Sequence, residues 1–171
     1  MKIKFYYGLM AVFFFSLSLS AQWSKDQTYV IRNVGNGQVL HAKDGDLKKQ
    51  GCKMLMRMQN NSENQLWSVE TLESGKISIR NKKNKHALTL NRQKEKKSGE
   101  PVALFDWGGN DGQKWRFENV GHNEYVIRNI KNNFVLDANR NGQYNKSGEV
   151  VLTDSNGGED QKWVIENVNM R

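Results

Sequence analysis

Apolar residues recur along this chain in short alternating stretches, not in helical turns. Tyr29 and Ile31, Ile77 and Ile79, and Tyr125 and Ile127 flank Val30, Ser78 and Val126. That period of two predicts a first strand with one buried face, in three places. Asn-rich stretches follow at 34–37, 82–85 and 130–133, suited to hairpin turns that need positive φ. Second strands are predicted at Val39-Leu40, Ala87-Leu88 and Val135-Leu136, and third strands at Met54–Met56, Val102–Leu104 and Val150–Leu152. A fourth strand turns Trp67 and Val69, Trp115 and Phe117, or Trp163 and Ile165 inward together. No stretch after residue 22 has the roughly 3.6-residue spacing of an amphipathic helix. The chain reads as all-β.

The three sets are one pattern in a fixed register. Gln65-Leu66-Trp67, Gln113-Lys114-Trp115 and Gln161-Lys162-Trp163 are spaced by 48 residues. The same shift superposes Ile31-Arg32-Asn33 on Ile79-Arg80-Asn81 and Ile127-Arg128-Asn129. It also aligns Asn36, Asn84 and Asn132; Leu40, Leu88 and Leu136; and Glu70, Glu118 and Glu166. Three four-stranded units of this size lack a core of their own and bury their apolar sides only against one another, which predicts a closed, pseudo-threefold assembly. A three-bladed propeller is the poorer alternative, since propellers typically have at least four blades.

Three in-register Gln-x-Trp copies resemble the ricin B-chain type of β-trefoil lectin, from about Thr28 onward. The resemblance implies twelve strands, a six-stranded barrel and a hairpin cap. The expected units are approximately 28–74, 75–121 and 122–171, within a domain spanning 22–171.

Composition adds compartment and charge. Met1–Lys4 is basic, Phe5–Leu19 is almost wholly apolar, and Ser18, Ser20 and Ala21 are small, the order of a secretory signal peptide over residues 1–21. Cleavage after Ala21 or after Ser20 fits. A membrane anchor would need about 20 apolar residues, so no membrane span is expected after cleavage. The remaining chain is the size of one ordinary domain and leaves no room for a catalytic one. The full 171 residues carry a net charge of +8, and removing Lys2 and Lys4 takes 26 basic residues to 24 against 18 acidic, or +6. That balance favours anionic partners, among them acidic glycans; for an exported protein nucleic acid is not expected. The lone Cys52 excludes an internal disulfide. It reads as an incidental thiol in a polar loop. Relatives from plants and fungi often carry disulfides, so the resemblance is to a bacterial version, secreted or periplasmic.

Buried aromatics are core by default, so Gln65, Trp67, Gln113, Trp115, Gln161 and Trp163 read as structural. By resemblance, the three Gln brace the adjoining loop. Arg32, Glu70 and their equivalents read as repeated cross-strand ion pairs. The resemblance further implies a sugar site in each unit: an Asp ending the second strand, an aromatic on the third, and an amide just before the Gln. Such a carboxylate accepts hydrogen bonds from two adjacent hydroxyls while the ring covers the apolar face of a pyranose. No unit is complete. The third has Asp137 and Asp160 beside Gln161, with Thr153 in place of the ring. The second has Phe105, with Thr89 and Gly112 in place of the acid and amide. The first has Asn64, with His41 and Arg57 at the other two positions. Phe105 and Trp107 are also candidates for an exposed stacking surface or for peripheral core. Lys48 and Lys49, Lys94, Lys96 and Lys97, and Lys146 place positive charge before each third strand, as glycan contacts or solvated loop charge.

Catalytic chemistry finds no support. His41, His86 and His122 have no ligand spacing, so no metal is expected. No glycine-rich loop opens a helix, and no cofactor is expected. The paired acids are repeat-equivalent, which a glycosidase dyad does not explain. The expectation is a non-catalytic, exported carbohydrate-binding lectin. A trefoil protein-interaction module that has lost the sugar, or an accessory subunit of a glycan-degrading enzyme, stands as the alternative.

Overall fold

The computed structural model describes residues 23–91, 98–140 and 148–168. The predicted leader, Lys94, Lys96, Lys97 and Lys146 lie outside the described residues.

Twelve strands follow in chain order. The first unit holds β1 (Tyr29–Asn33), β2 (Val39–Ala42), β3 (Cys52–Arg57) and β4 (Trp67–Thr71). The second holds β5 (Ile77–Asn81), β6 (Ala87–Leu90), β7 (Glu100–Phe105) and β8 (Trp115–Gly121). The third holds β9 (Glu124–Asn129), β10 (Val135–Asp137), β11 (Val151–Thr153) and β12 (Lys162–Asn167). β1 pairs with β4, β4 with β5, β5 with β8, β8 with β9, β9 with β12, and β12 back with β1, all antiparallel. This closed ring leaves those six strands no free edge. The hairpins β2–β3, β6–β7 and β10–β11 form the cap, joined through β3–β7, β7–β11 and a bridge from Leu55 to Glu149. The fold is a β-trefoil.

The register repeats in the core. Ile31, Ile79 and Ile127, Leu40, Leu88 and Leu136, and Trp67, Trp115 and Trp163 are all fully buried. Each indole also donates to the carbonyl of the second-strand Leu of its own unit, at 3.2, 3.0 and 3.0 Å, so none of these three indole N–H groups is left unpaired. The predicted turns use positive φ at Gly37, Lys85 and Asn133, one per unit. At one end of the barrel Trp23 meets Tyr29, Phe117 and Tyr125 edge-on, with centroids 5.5, 5.4 and 5.7 Å away.

Three expectations are corrected. Val30, Ser78 and Val126 are buried as well, so the first strands do not have a single buried face. Val30 and Val126 stay outside the central hydrophobic cluster although buried, which means chain packs on both sides of these strands. Cys52 is not in a polar loop but opens β3, with its side chain in the core; burial pushes its thiol pKa up. Finally, Arg32 does not pair with Glu70. Each unit's Glu faces the next unit's Arg: Arg80 with Glu70 at 3.3 Å, Arg128 with Glu118 at 2.7 Å, and Arg32 with Glu166 at 2.6 Å. The ladders explain it, because Ser68 stands opposite Arg80 and Glu70 opposite Ser78, making the charges diagonal neighbours across a boundary between units.

Asn33, Asn81 and Asn129 clamp the same boundaries. Asn33 Nδ2 donates to the carbonyls of Glu159, Asp160 and Lys162, while its Oδ1 accepts from the Gly35 N–H. Asn81 and Asn129 do the same to Glu63 and Leu66, and to Gly112 and Lys114.

Candidate functional site

In each unit one mouth forms where the second strand ends beside a short 3-10 turn that runs into the Gln of Gln-x-Trp. These turns are Glu63–Gln65, Asp111–Gln113 and Glu159–Gln161. The buried Gln holds the loop between third and fourth strands at two points. Gln65 Nε2 donates to Met58 O at 2.8 Å and its Oε1 accepts from Asn60 N at 2.8 Å. Gln113 does so with Asp106 O and Gly108 N, both at 2.7 Å. Gln161 does so with Asp154 O at 2.9 Å and Asn156 N at 2.8 Å. The bracing role that the resemblance implied is present in all three.

The third mouth carries an acid both at the end of its second strand, Asp137, and just before its Gln, Asp160. Asp137 is nearly buried, and its Oδ2 accepts from Gln161 Nε2 and Thr153 Oγ1, each at 3.1 Å. Its Oδ1 accepts from Asn139 N at 2.7 Å. Thr153 and Gln161 are fully buried, so they support the carboxylate from beneath and do not line a surface. This polar knot replaces the aromatic that the resemblance placed at position 153. A carboxylate offers about four acceptor sites, and three are taken.

Asp160 sits at the rim, with its backbone carbonyl accepting from Ala138 N at 3.0 Å. Burial pushes its carboxyl pKa up; Asp137 and Glu159 nearby push the same way, and Arg140 opposes them. Arg140 Nε lies 2.8 Å from Asp160 Oδ1, and its Nη1 donates to Gly35 O at 2.7 Å. Gly35 permits this close approach, because a Cβ would stand 2.8 Å from Asp160 Oδ1 and 3.2 Å from the Glu159 backbone, and Asp160 would have to shift. The first unit's turn therefore walls the third unit's mouth.

In the second mouth Thr89, at the acid position, is buried; it donates to Ala87 O at 2.7 Å and accepts from Gln113 Nε2 at 3.2 Å. Phe105 is half-buried, and its ring lies against Gly51 of the first unit. The half-buried Trp107 has the Arg80 guanidinium 4.3 Å from its ring centroid. His86 Nε2 lies 3.1 Å from the exposed Asp106. In the first mouth His41 is buried, with Nε2 3.0 Å from Asp44 Oδ1 and Nδ1 without a hydrogen bond. Asn64 Nδ2 is spent on Ala42 O at 2.8 Å, and Arg57 is exposed.

Of the loop lysines, Lys49 is paired with Asp46 at 3.0 Å and Lys48 is exposed. Among the described residues no group of three His, Cys, Asp or Glu could hold a metal, and no helix is long and apolar enough to cross a membrane. Asn139, Arg140, Gly35 and Arg80 were not picked out as site residues. Arg80 carried a signal, since it sits in the aligned Ile-Arg-Asn triplet. Asn139 and Arg140 carried one too, falling on Asn91 and Arg92 at the 48-residue shift, whereas Gly35 falls on Lys83 and has no partner of its own type.

With this geometry, comparison with known proteins settles the class. A family model for the ricin-type beta-trefoil lectin domain matches residues 27–163, and the chain belongs to that family. Among solved structures, the designed threefold-symmetric protein ThreeFoil superposes with a TM-score of 0.75 at 20% identity, covering 82% of this chain and 99% of its own. The Macrolepiota procera ricin B-like lectin, solved in complex with lactose, gives 0.68 at 22%, covering 85% and 99%. An exo-beta-1,3-galactanase from Clostridium thermocellum gives 0.75 at 24%, over 83% of this chain but 30% of that enzyme. At such identities the likeness is one of fold. No curated protein matches the chain.

Proposed function

We propose that this protein is an exported lectin that binds carbohydrate without chemistry, chiefly at the mouth of the third unit. The observation that carries the reading is the Asp137 carboxylate, held from beneath by Thr153, Gln161 and the Asn139 N–H, with Asp160 at the rim beside it. Fixed acceptors of this kind suit the vicinal hydroxyls of a sugar. A neutral glycan fits this mouth better than an acidic one, since its two acids would repel a ligand carboxylate. One shallow site of this kind holds a monosaccharide only near millimolar, about −4 kcal/mol; a polymeric glycan would gain by multivalency if other mouths contribute.

The second reading is a trefoil that recognises protein, alone or beside a separately encoded glycan-degrading enzyme. It is favoured by Arg140 on Asp160 and Arg80 over Trp107, which engage two of the best sugar-facing groups within the chain itself. The discriminating experiment is a printed array of neutral and acidic glycans with the wild type and Asp160→Ala. Asp137→Ala is the poorer probe, because it also strands the buried Asn139 N–H. The lectin reading expects glycan signal that Asp160→Ala removes without lowering the thermal midpoint at neutral pH. Silence across the array would move the assignment to a protein partner.

A further inference from the structure

We propose that Trp107 is a second, noncanonical sugar-stacking platform that is capped in the free protein by Arg80, and that a bound pyranose displaces Arg80 back onto Glu70. The proposal deepens the lectin reading and rests on it. The threefold repeat supplies the uncapped reference state within the same chain. Arg32 binds Glu166 through Nε at 2.6 Å and Nη2 at 3.1 Å, and Arg128 binds Glu118 through Nε at 2.7 Å and Nη2 at 2.8 Å. Both are bidentate forks. Arg80 occupies the same strand position, yet it keeps only an Nη2 contact to Glu70 at 3.3 Å. Its Nε is buried and makes no hydrogen bond.

What differs is the residue under the guanidinium. Gln59 and Ser155 stand where the second unit has Trp107. In the first unit Arg32 keeps both carboxylate bonds and still reaches Gln59. Over Trp107 the guanidinium lies 4.3 Å from the ring centroid. The cation–π contact therefore replaces part of the fork and leaves one buried donor unpaired.

That exchange is poised. An exposed cation–π contact is weak, and a buried N–H without a partner is costly. A pyranose laid on the indole would take over the ring face and release Arg80 to the fork its two counterparts already make. Gly109 lies beside the ring, where a hypothetical Cβ would be 3.9 Å from Trp107 Cζ2, so no side chain crowds that edge. The exposed Asp106 stands on the same loop and offers an acceptor.

The test has two arms. In acrylamide quenching without ligand, Arg80→Ala should raise the accessible tryptophan fraction, and the gain should vanish in the double variant with Trp107→Phe. On the glycan array, followed by titration of the best-binding glycan, Trp107→Ala should lose this component. Arg80→Ala should bind roughly two- to fivefold tighter, the weight of one exposed cation–π contact. Arg80→Lys keeps a cation for Glu70 and loses the planar group; it should bind tighter too, and guards against a folding defect in the alanine variant. Glu70→Gln, which removes the charge and one of the two acceptor oxygens the fork needs, should bind more weakly. Weaker binding by both Arg80 variants would make Arg80 a ligand contact and overturn the proposal. Binding that survives Trp107→Ala but not Asp160→Ala overturns it while sparing the lectin reading. No glycan binding by any of the proteins overturns both.

Discussion

The three Gln of the repeat are equal in sequence and unequal in load. Gln65 holds its loop through Met58 O and Asn60 N, whereas Gln161 also donates to Asp137 and Thr153. Gln161→Ala should therefore cost more than Gln65→Ala, by about 1 kcal/mol, within the range for buried polar groups that lose a partner. Chemical denaturation of both variants measures the difference, and equal losses would refute the idea that the third-unit acid depends on its Gln. Cys52 gives a second residue-level expectation. Its thiol is buried and its pKa is raised, so it should resist a thiol reagent at neutral pH and react once denaturant is added. The positions of the three Gln were legible from repetition, and their bracing role only from the family resemblance. The cooperation of Gln161 with Thr153 was not legible, because a buried Thr and an aromatic shelf both satisfy an alternating pattern.

Among elements, the strand count, the inward Trp faces and the turn positions could all be read from the period of two and the shift of 48 residues. The partner of each strand could not. Alternation fixes which face a residue takes, but not which neighbour the strand joins, and so Glu70 was set against Arg32 rather than Arg80. Cys52 was misplaced for a related reason: Gly51 and Lys53 around it look like loop, and only the β3–β7 ladder draws position 52 into the core. The boundary ion pairs predict a pH response. The Arg128 guanidinium holds the Glu118 carboxyl below its usual range. Stability from that pair is full above the ordinary carboxylate pKa and is lost as pH falls through the depressed value. Glu118→Gln should therefore be less stable than wild type near neutrality and should flatten the acid limb of a thermal-midpoint profile. Asp160 works in the opposite sense. Its carboxyl is raised, so its contribution falls as pH rises from the ordinary range through the raised value, and Asp160→Ala should remove that decline.

At the scale of the molecule, the third unit is completed by the first. β1 and β12 pair along Tyr29 to Asn33 against Asn167 to Trp163, and Asn33 and Gly35 reach the turn that carries Asp160. Closure was implied by three coreless units; the fact that the first unit walls the third unit's mouth was not, since Gly35 falls on Lys83 and Lys131 at the 48-residue shift. Asn33→Ala should thus lower stability and also weaken glycan binding at the third mouth, whereas Asn81→Ala, at another boundary, should lower stability alone. The most direct test of the central claim is an amide chemical-shift titration of the labelled protein with the strongest glycan from the array. The account predicts shifts at Asp137, Asn139, Asp160 and Gly35, with a second group at Trp107 and Arg80. Shifts confined to the first unit, or none at saturating glycan, would contradict it.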